Sequence, residues 1–228
     1  MTLSRHPTLH PRNWRRAIEA HVPRKAARDW LNRLRFGPDA PQSDECIYVD
    51  PCRVHHQFLG KASRFDLGRQ ASGRVLAGDW DKARGDIEAN MKLQSCRMRW
   101  QQGAKWEDTP IHARHRAEIA AGKAPDGMRS LDDLDARAAA LDAIFEETRA
   151  RGRLLAQHEL PDMFRREAGG VLIHIGRDGT LLRAGGGAHR FAIARILELT
   201  EMPAQLGVVH ALAMAENPLI ALRKSRLT

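Results

Sequence analysis

The sequence predicts an α+β fold, and three observations predict it. Apolar residues recur at helical spacing through much of residues 1–152. After residue 152 the texture changes to short apolar runs bounded by turn residues: "GGVLIHI", "TLLRA" and "AQLGVVHALA". A triple glycine, Gly185-Gly186-Gly187, then joins the second of these runs to a helical pattern, "AHRFAIARILEL". The expected organisation is therefore a mainly helical region at 1–152 packed on a strand-rich module at 153–228.

From Asn13 to Arg35, the positions Trp14, Ile18, Val22, Trp30, Leu31 and Leu34 fit a helix that Pro23 should break or restart. "FGPDAPQSD" reads as a linker, and "CIYVD" as a short strand from Cys46 to Asp50. The sequence through "ASGRVLAGDWD" reads as irregular, and Ala83 to Gln102 as a polar helix of weak amphipathicity. In "TPIHARHRAEIAAG", Thr109 is the expected N-cap, Pro110 the first helical residue and Gly122 the stop. The clearest helix follows: Ser130 with Asp133 forms a capping box, and Gly152 ends the run. "GGVLIHI", the turn "GRDG" and "TLLRA" make a hairpin. A helix, Pro203, a further strand and a terminal helix complete the chain.

Composition narrows the partners. With 43% hydrophobic and 29% charged residues, the 228-residue chain is of the soluble globular kind. Its net charge of +9 favours polyanions, nucleotides and acidic surfaces. The surplus is steepest early, where residues 1–70 hold thirteen Lys/Arg against seven Asp/Glu. Only weak, non-specific nucleic-acid binding is expected, since aromatics at 5% provide few platforms for stacking bases. No segment reaches the apolar length of a membrane span, and three cysteines without paired spacing suit a reducing cytoplasm. No metal site is expected. The pair His112 and His115 in "HARHR" reads as surface histidines, and His55-His56 carry no distinct signal. "GDWD" and "WEDT" set a Trp beside carboxylates, a pattern read as core Trp with capping acids ahead of a sugar or amine pocket.

The chemistry concentrates in Gly185, Gly186, Gly187, Ala188, His189 and Arg190. A helix starting there exposes unpaired N–H groups and the positive end of its dipole. Glycines allow a phosphate to approach the backbone, because no Cβ intervenes. Arg190 offers a planar pair of charged donors, and His189 a phosphate donor or a proton carrier near neutral pH. The competing reading is a tight strand-to-helix corner with no ligand at all.

The order of hairpin, glycine run, "HR" and apolar helix, then proline and strand, resembles the ParB/sulfiredoxin-like superfamily over about residues 153–212. "GDWD", "WEDT", "IGRDG" and "HRFAIARIL" are similar to a bacterial and archaeal group of ParB-N-like proteins. The resemblance implies a box at the helix start that cradles nucleotide phosphates: ATP, ADP or CTP, with Mg²⁺ as companion ion. It also implies a small-molecule kinase with an unidentified acceptor, in which Glu159 of "AQHEL" would be the general base and His189 a catalytic partner. A nucleotide- or DNA-binding regulator and an inactive binding module are the alternatives. The box departs from the kinase pattern, which has Asp and His where this chain has Gly186 and Ala188. That loss weighs against metal-assisted transfer. Sulfiredoxin chemistry is excluded, because Ala188 stands where the nucleophilic cysteine would be.

Overall fold

The computed structural model describes residues 22–60, 64–160, 167–216 and 218–227. Their elements run α1 (Val22–Phe36), β1 (Cys46–Val49), β2 (His56–Phe58), β3 (Val75–Leu76), β4 (Arg84–Asp86), α2 (Met91–Trp100), α3 (Pro110–Ala120), α4 (Leu131–Arg151), β5 (Val171–Ile175), β6 (Leu181–Arg183), α5 (Ala188–Ile196), β7 (Met202–His210) and α6 (Leu219–Leu222). The predicted α+β class is what forms. No helix among the described residues is long and apolar enough to cross a membrane.

All seven strands join one mixed sheet in the order β1-β7-β5-β6-β2-β4, with β3 also paired to β7. β7 is its spine: all nine residues are buried. It pairs in parallel with β5, while β1 and β3 share its other edge at Met202–Gln205 and Val209–His210. The predicted hairpin β5/β6 is present, with Gly179 at φ +76° in its turn. The expected boundary at 152 does not divide this sheet. Four strands come from the region read as mainly helical, and β2 pairs directly with β6. Strands of two or three residues have no periodicity to read; partners far along the chain hold them.

The helical face of the sheet carries α5, which buries His189, Phe191, Ala192, Ile193 and Ala194. α2 packs on α5, and α4 adds Leu141 and Phe145 to the same apolar cluster. Full burial of a side chain such as Phe191 or Ile193 stabilises the fold by roughly 1.5–3 kcal/mol. The opposite face buries a smaller cluster of Leu67, Ala71, Trp80, Leu182 and Val208.

Local signals mostly land where expected. Ser130 and Asp133 make both bonds of the capping box, and Gly152 ends α4 in the left-handed region. Thr109 sits at the N-cap of α3, but its hydroxyl donates to the Trp106 carbonyl instead of capping the helix. Trp80 and Trp106 are core residues. Asp81 is buried beside Trp80; burial raises its pKa, but hydrogen bonds from Arg177 outweigh this and hold it down at about 2.

Three expectations are corrected. Ala83 to Gln102 is not one helix: it is β4, a turn, and then α2, which Asn90 caps by accepting from the N–H groups of Lys92 and Leu93. His112 and His115 are buried, not surface residues. In α1 the polar side faces inward. Lys25 is buried against Asp44 at 2.7 Å, and Asn32 donates to the Pro41 and Gly73 carbonyls. Trp30, Leu31 and Leu34 remain exposed. The earlier part of the predicted first helix, up to residue 21, lies outside the described residues.

Candidate functional site

A cavity of about 660 Å³ opens where two helix starts, α2 and α5, meet the end of β6. The two starts differ. That of α2 is closed by the Asn90 side chain. That of α5 has no side-chain cap, and the N–H groups of Ala188, His189 and Arg190 find no acceptor among the described residues. Gly186 to Arg190 all line the cavity.

The glycines have separate reasons. Gly187 has φ +65°, and a Cβ there would lie 2.8 Å from the Val171 Cα. Gly186 has φ +91°, and a Cβ there would meet the Arg69 guanidinium. Arg69 is itself held by the Gly169 and Gly170 carbonyls and by Gln205. Gly185 has open space around it and faces a neighbouring cavity beside Phe58 and Phe65. Two of the three glycines are therefore required by the corner itself.

Cations surround the open helix start. Arg183, the last residue of β6, is 7% exposed and lines the cavity. Its Nε has no hydrogen-bond partner, and no acidic group pairs with it among the described residues. Burial alone pushes its guanidinium down to about 10, so it remains charged at neutral pH. Lys92 contributes a second cation, partly neutralised by Asp126 at 2.7 Å. Arg114 and Arg137 complete the wall. Arg190 is less free than its place in the box implies: it donates to the Leu155 carbonyl and lies 4.0 Å from the buried Glu167. Burial lowers its pKa as well.

His189 shares the cavity but is not a proton carrier near neutral pH. Burial, reinforced by Lys92 and Arg137, pushes its pKa down to about 4. Burial does the same to His174 of β5. In the unfolded chain these rings take up protons near pH 6.5, whereas folded they resist until about pH 4. The unfolded state thus binds more protons between those values, and stability falls as pH drops through that window. Denaturation at fixed ionic strength should show a plateau above pH 7 and a decline from about pH 6.5 to 4. His189→Gln should flatten the decline, and an unchanged slope would show that its proton affinity is not perturbed by folding.

Glu159 is not in this cavity. It accepts from the Ala156 N–H at 2.7 Å and pairs with Arg153 at 2.8 Å. Its side chain faces a separate cavity of about 290 Å³ with Tyr48 and Glu201. The Arg153 hydrogen bonds lower its pKa, the wrong direction for a base poised near neutral pH. The carboxylate that does line the cavity at the open helix start is Asp126, held in a left-handed turn at φ +48°. Arg183 and Asp126 were both missed from the sequence. Arg183 had a usable signal, as a cation closing an apolar strand run beside glycines. No family model, curated protein or solved structure matches the chain.

Proposed function

We propose that the chain binds a nucleotide through its phosphates, which dock on the N–H groups of Ala188, His189 and Arg190 beside Arg183. The observation that carries this reading is the buried guanidinium of Arg183, whose Nε has no hydrogen-bond partner and which no acidic group pairs among the described residues. A charge taken out of water without a counter-ion is expensive, and an anion at the open helix start would compensate it. The cavity volume of about 660 Å³ supports a ligand larger than phosphate alone. The reading also draws on the ParB/sulfiredoxin-like resemblance, whose order of hairpin, glycine run, helix and strand corresponds here to β5/β6, the glycine corner, α5 and β7.

One observation favours a second reading, transfer of the phosphoryl group to a small acceptor. Asp126 and the neutral His189 lie in the same cavity as the open helix start. In that reading Asp126, not Glu159, is the group that would meet an acceptor hydroxyl or a companion Mg²⁺. Its bond to Lys92 would have to yield first.

Thermal denaturation with ATP, ADP, CTP and pyrophosphate, each with and without Mg²⁺, tests the binding proposal. A ligand at a hundred times its Kd adds about 2.7 kcal/mol. For a chain of this size that raises Tm by about 5–10 °C. An equal rise in chloride at matched ionic strength, or no rise with any phosphate ligand, would remove the reading.

A further inference from the structure

Outside the phosphate-facing cavity, three side chains of metal-ligating type converge from separate elements. Cys46 opens β1, His158 sits in the turn Gln157–Glu159, and Glu167 precedes β5. One donor atom of each lies within 4.8 Å of the other two. The cluster is held by its surroundings. The Glu167 N–H donates to the Asp44 carbonyl, which sets it opposite a residue two positions before Cys46 on the adjacent segment. Its Oε2 accepts from the Gln157 N–H at 2.7 Å, which ties it to the turn that carries His158. Gly170 leaves room for the carboxylate, since a Cβ there would lie against Oε1.

The second carboxylate oxygen is the informative atom. Glu167 is 0% exposed, and its Oε1 has no hydrogen bond of good geometry, the Cys46 thiol being a weak donor that faces the carboxylate. The nearest cation, Arg190, is 4.0 Å away and directs that nitrogen to the Leu155 carbonyl. A buried carboxylate oxygen without a well-placed strong donor costs free energy unless something electropositive occupies the gap. His158 is exposed and lines the cavity of about 290 Å³, so the cluster meets solvent on its His158 side.

We propose that Cys46 Sγ, a ring nitrogen of His158 and Glu167 Oε1 bind a borderline-soft divalent cation of the Zn²⁺ type. Thiolate, imidazole and carboxylate are the ligand types that such an ion takes, and three protein ligands leave a fourth position for water. One thiolate and one carboxylate balance the double charge. As the sulfur–metal bond forms, the thiol proton leaves to solvent. Tetrahedral closure brings ligand atoms to about 3.5 Å from one another, a small contraction that the exposed His158 can supply.

Co²⁺ is the probe, added to the full chain after chelator treatment under reducing conditions. The expected result is a near-ultraviolet thiolate-to-cobalt band that saturates at one ion per chain. Cys46→Ser should lose the band, while Cys52→Ser and Cys96→Ser keep it. His158 is exposed, so His158→Ala leaves the fold intact. It should weaken Co²⁺ binding by more than the roughly 10–100-fold that loss of an outer-shell partner costs. No band in the parent chain, a band retained in Cys46→Ser, or unchanged affinity in His158→Ala would each overturn the proposal. A thiol that merely donates to Glu167 gives the first of these. The site lies apart from the open start of α5, so nucleotide binding can fail while cobalt binding succeeds, and the reverse.

Discussion

Arg183→Met is expected to weaken phosphate binding by roughly 10–100-fold while raising the stability of the ligand-free chain. The two effects have one cause. Arg183 is a buried cation without an acidic partner among the described residues, so folding removes much of its hydration and leaves its Nε without a partner until an anion arrives. A charge-assisted hydrogen bond to phosphate contributes on the order of 1.5–3 kcal/mol, which sets the binding loss. Met preserves the length and apolar bulk of the side chain and removes the desolvated charge, so a gain on the order of 1–3 kcal/mol is expected in urea denaturation. Loss of stability would mean that the guanidinium is satisfied by the folded chain itself. Unchanged affinity would mean that the anion docks elsewhere.

Gly187→Ala is expected to destabilise the fold by roughly 2–5 kcal/mol, from left-handed backbone strain and overpacking together. The residue holds φ +65°, and the new Cβ would lie 2.8 Å from the Val171 Cα and 3.0 Å from the Gly170 oxygen. Those are backbone atoms of β5 and its approach, so no side chain can rotate away. Gly185→Ala is the internal comparison. Nothing lies within 4 Å of its Cβ position, and the change should stay within about 0.5 kcal/mol. Equal effects at the two positions in urea denaturation would show that the corner does not impose the asymmetry. The comparison also answers why three glycines stand together. Gly186 and Gly187 make the turn, and the uncapped helix start behind them is its by-product.

What was legible in the sequence was local. The capping box at Ser130, the stop at Gly152 and the hairpin turn at Gly179 depend on neighbours a few residues away, and each signal survives in the structure. β2, β3 and β4 were not legible, because strands this short exist only through partners such as Arg183 and His210. α1 misled in a different way. Its apolar spacing describes a helix correctly, but Asp44, Pro41 and Gly73 supply polar partners that draw Lys25 and Asn32 inward.

The candidate site divides along the same line. The glycine box could be found because its residues are contiguous. Lys92, Asp126 and Arg137 could not, since they reach the cavity from α2, a turn and α4. Only the family resemblance points to Glu159, and its local role as the carboxylate that accepts from the Ala156 N–H accounts for its presence. Cys46, His158 and Glu167 follow no ligand spacing in sequence; only the approach of β1 to the segment before β5 brings them together.

The central claim is that a phosphate docks on the open start of α5. It is tested most directly by following backbone amide resonances during titration with pyrophosphate. The account predicts that the largest shifts fall on Ala188, His189 and Arg190, saturate together, and vanish in Arg183→Met at the same ligand concentration. Saturable shifts confined to other segments, with these three amides unmoved, would contradict it.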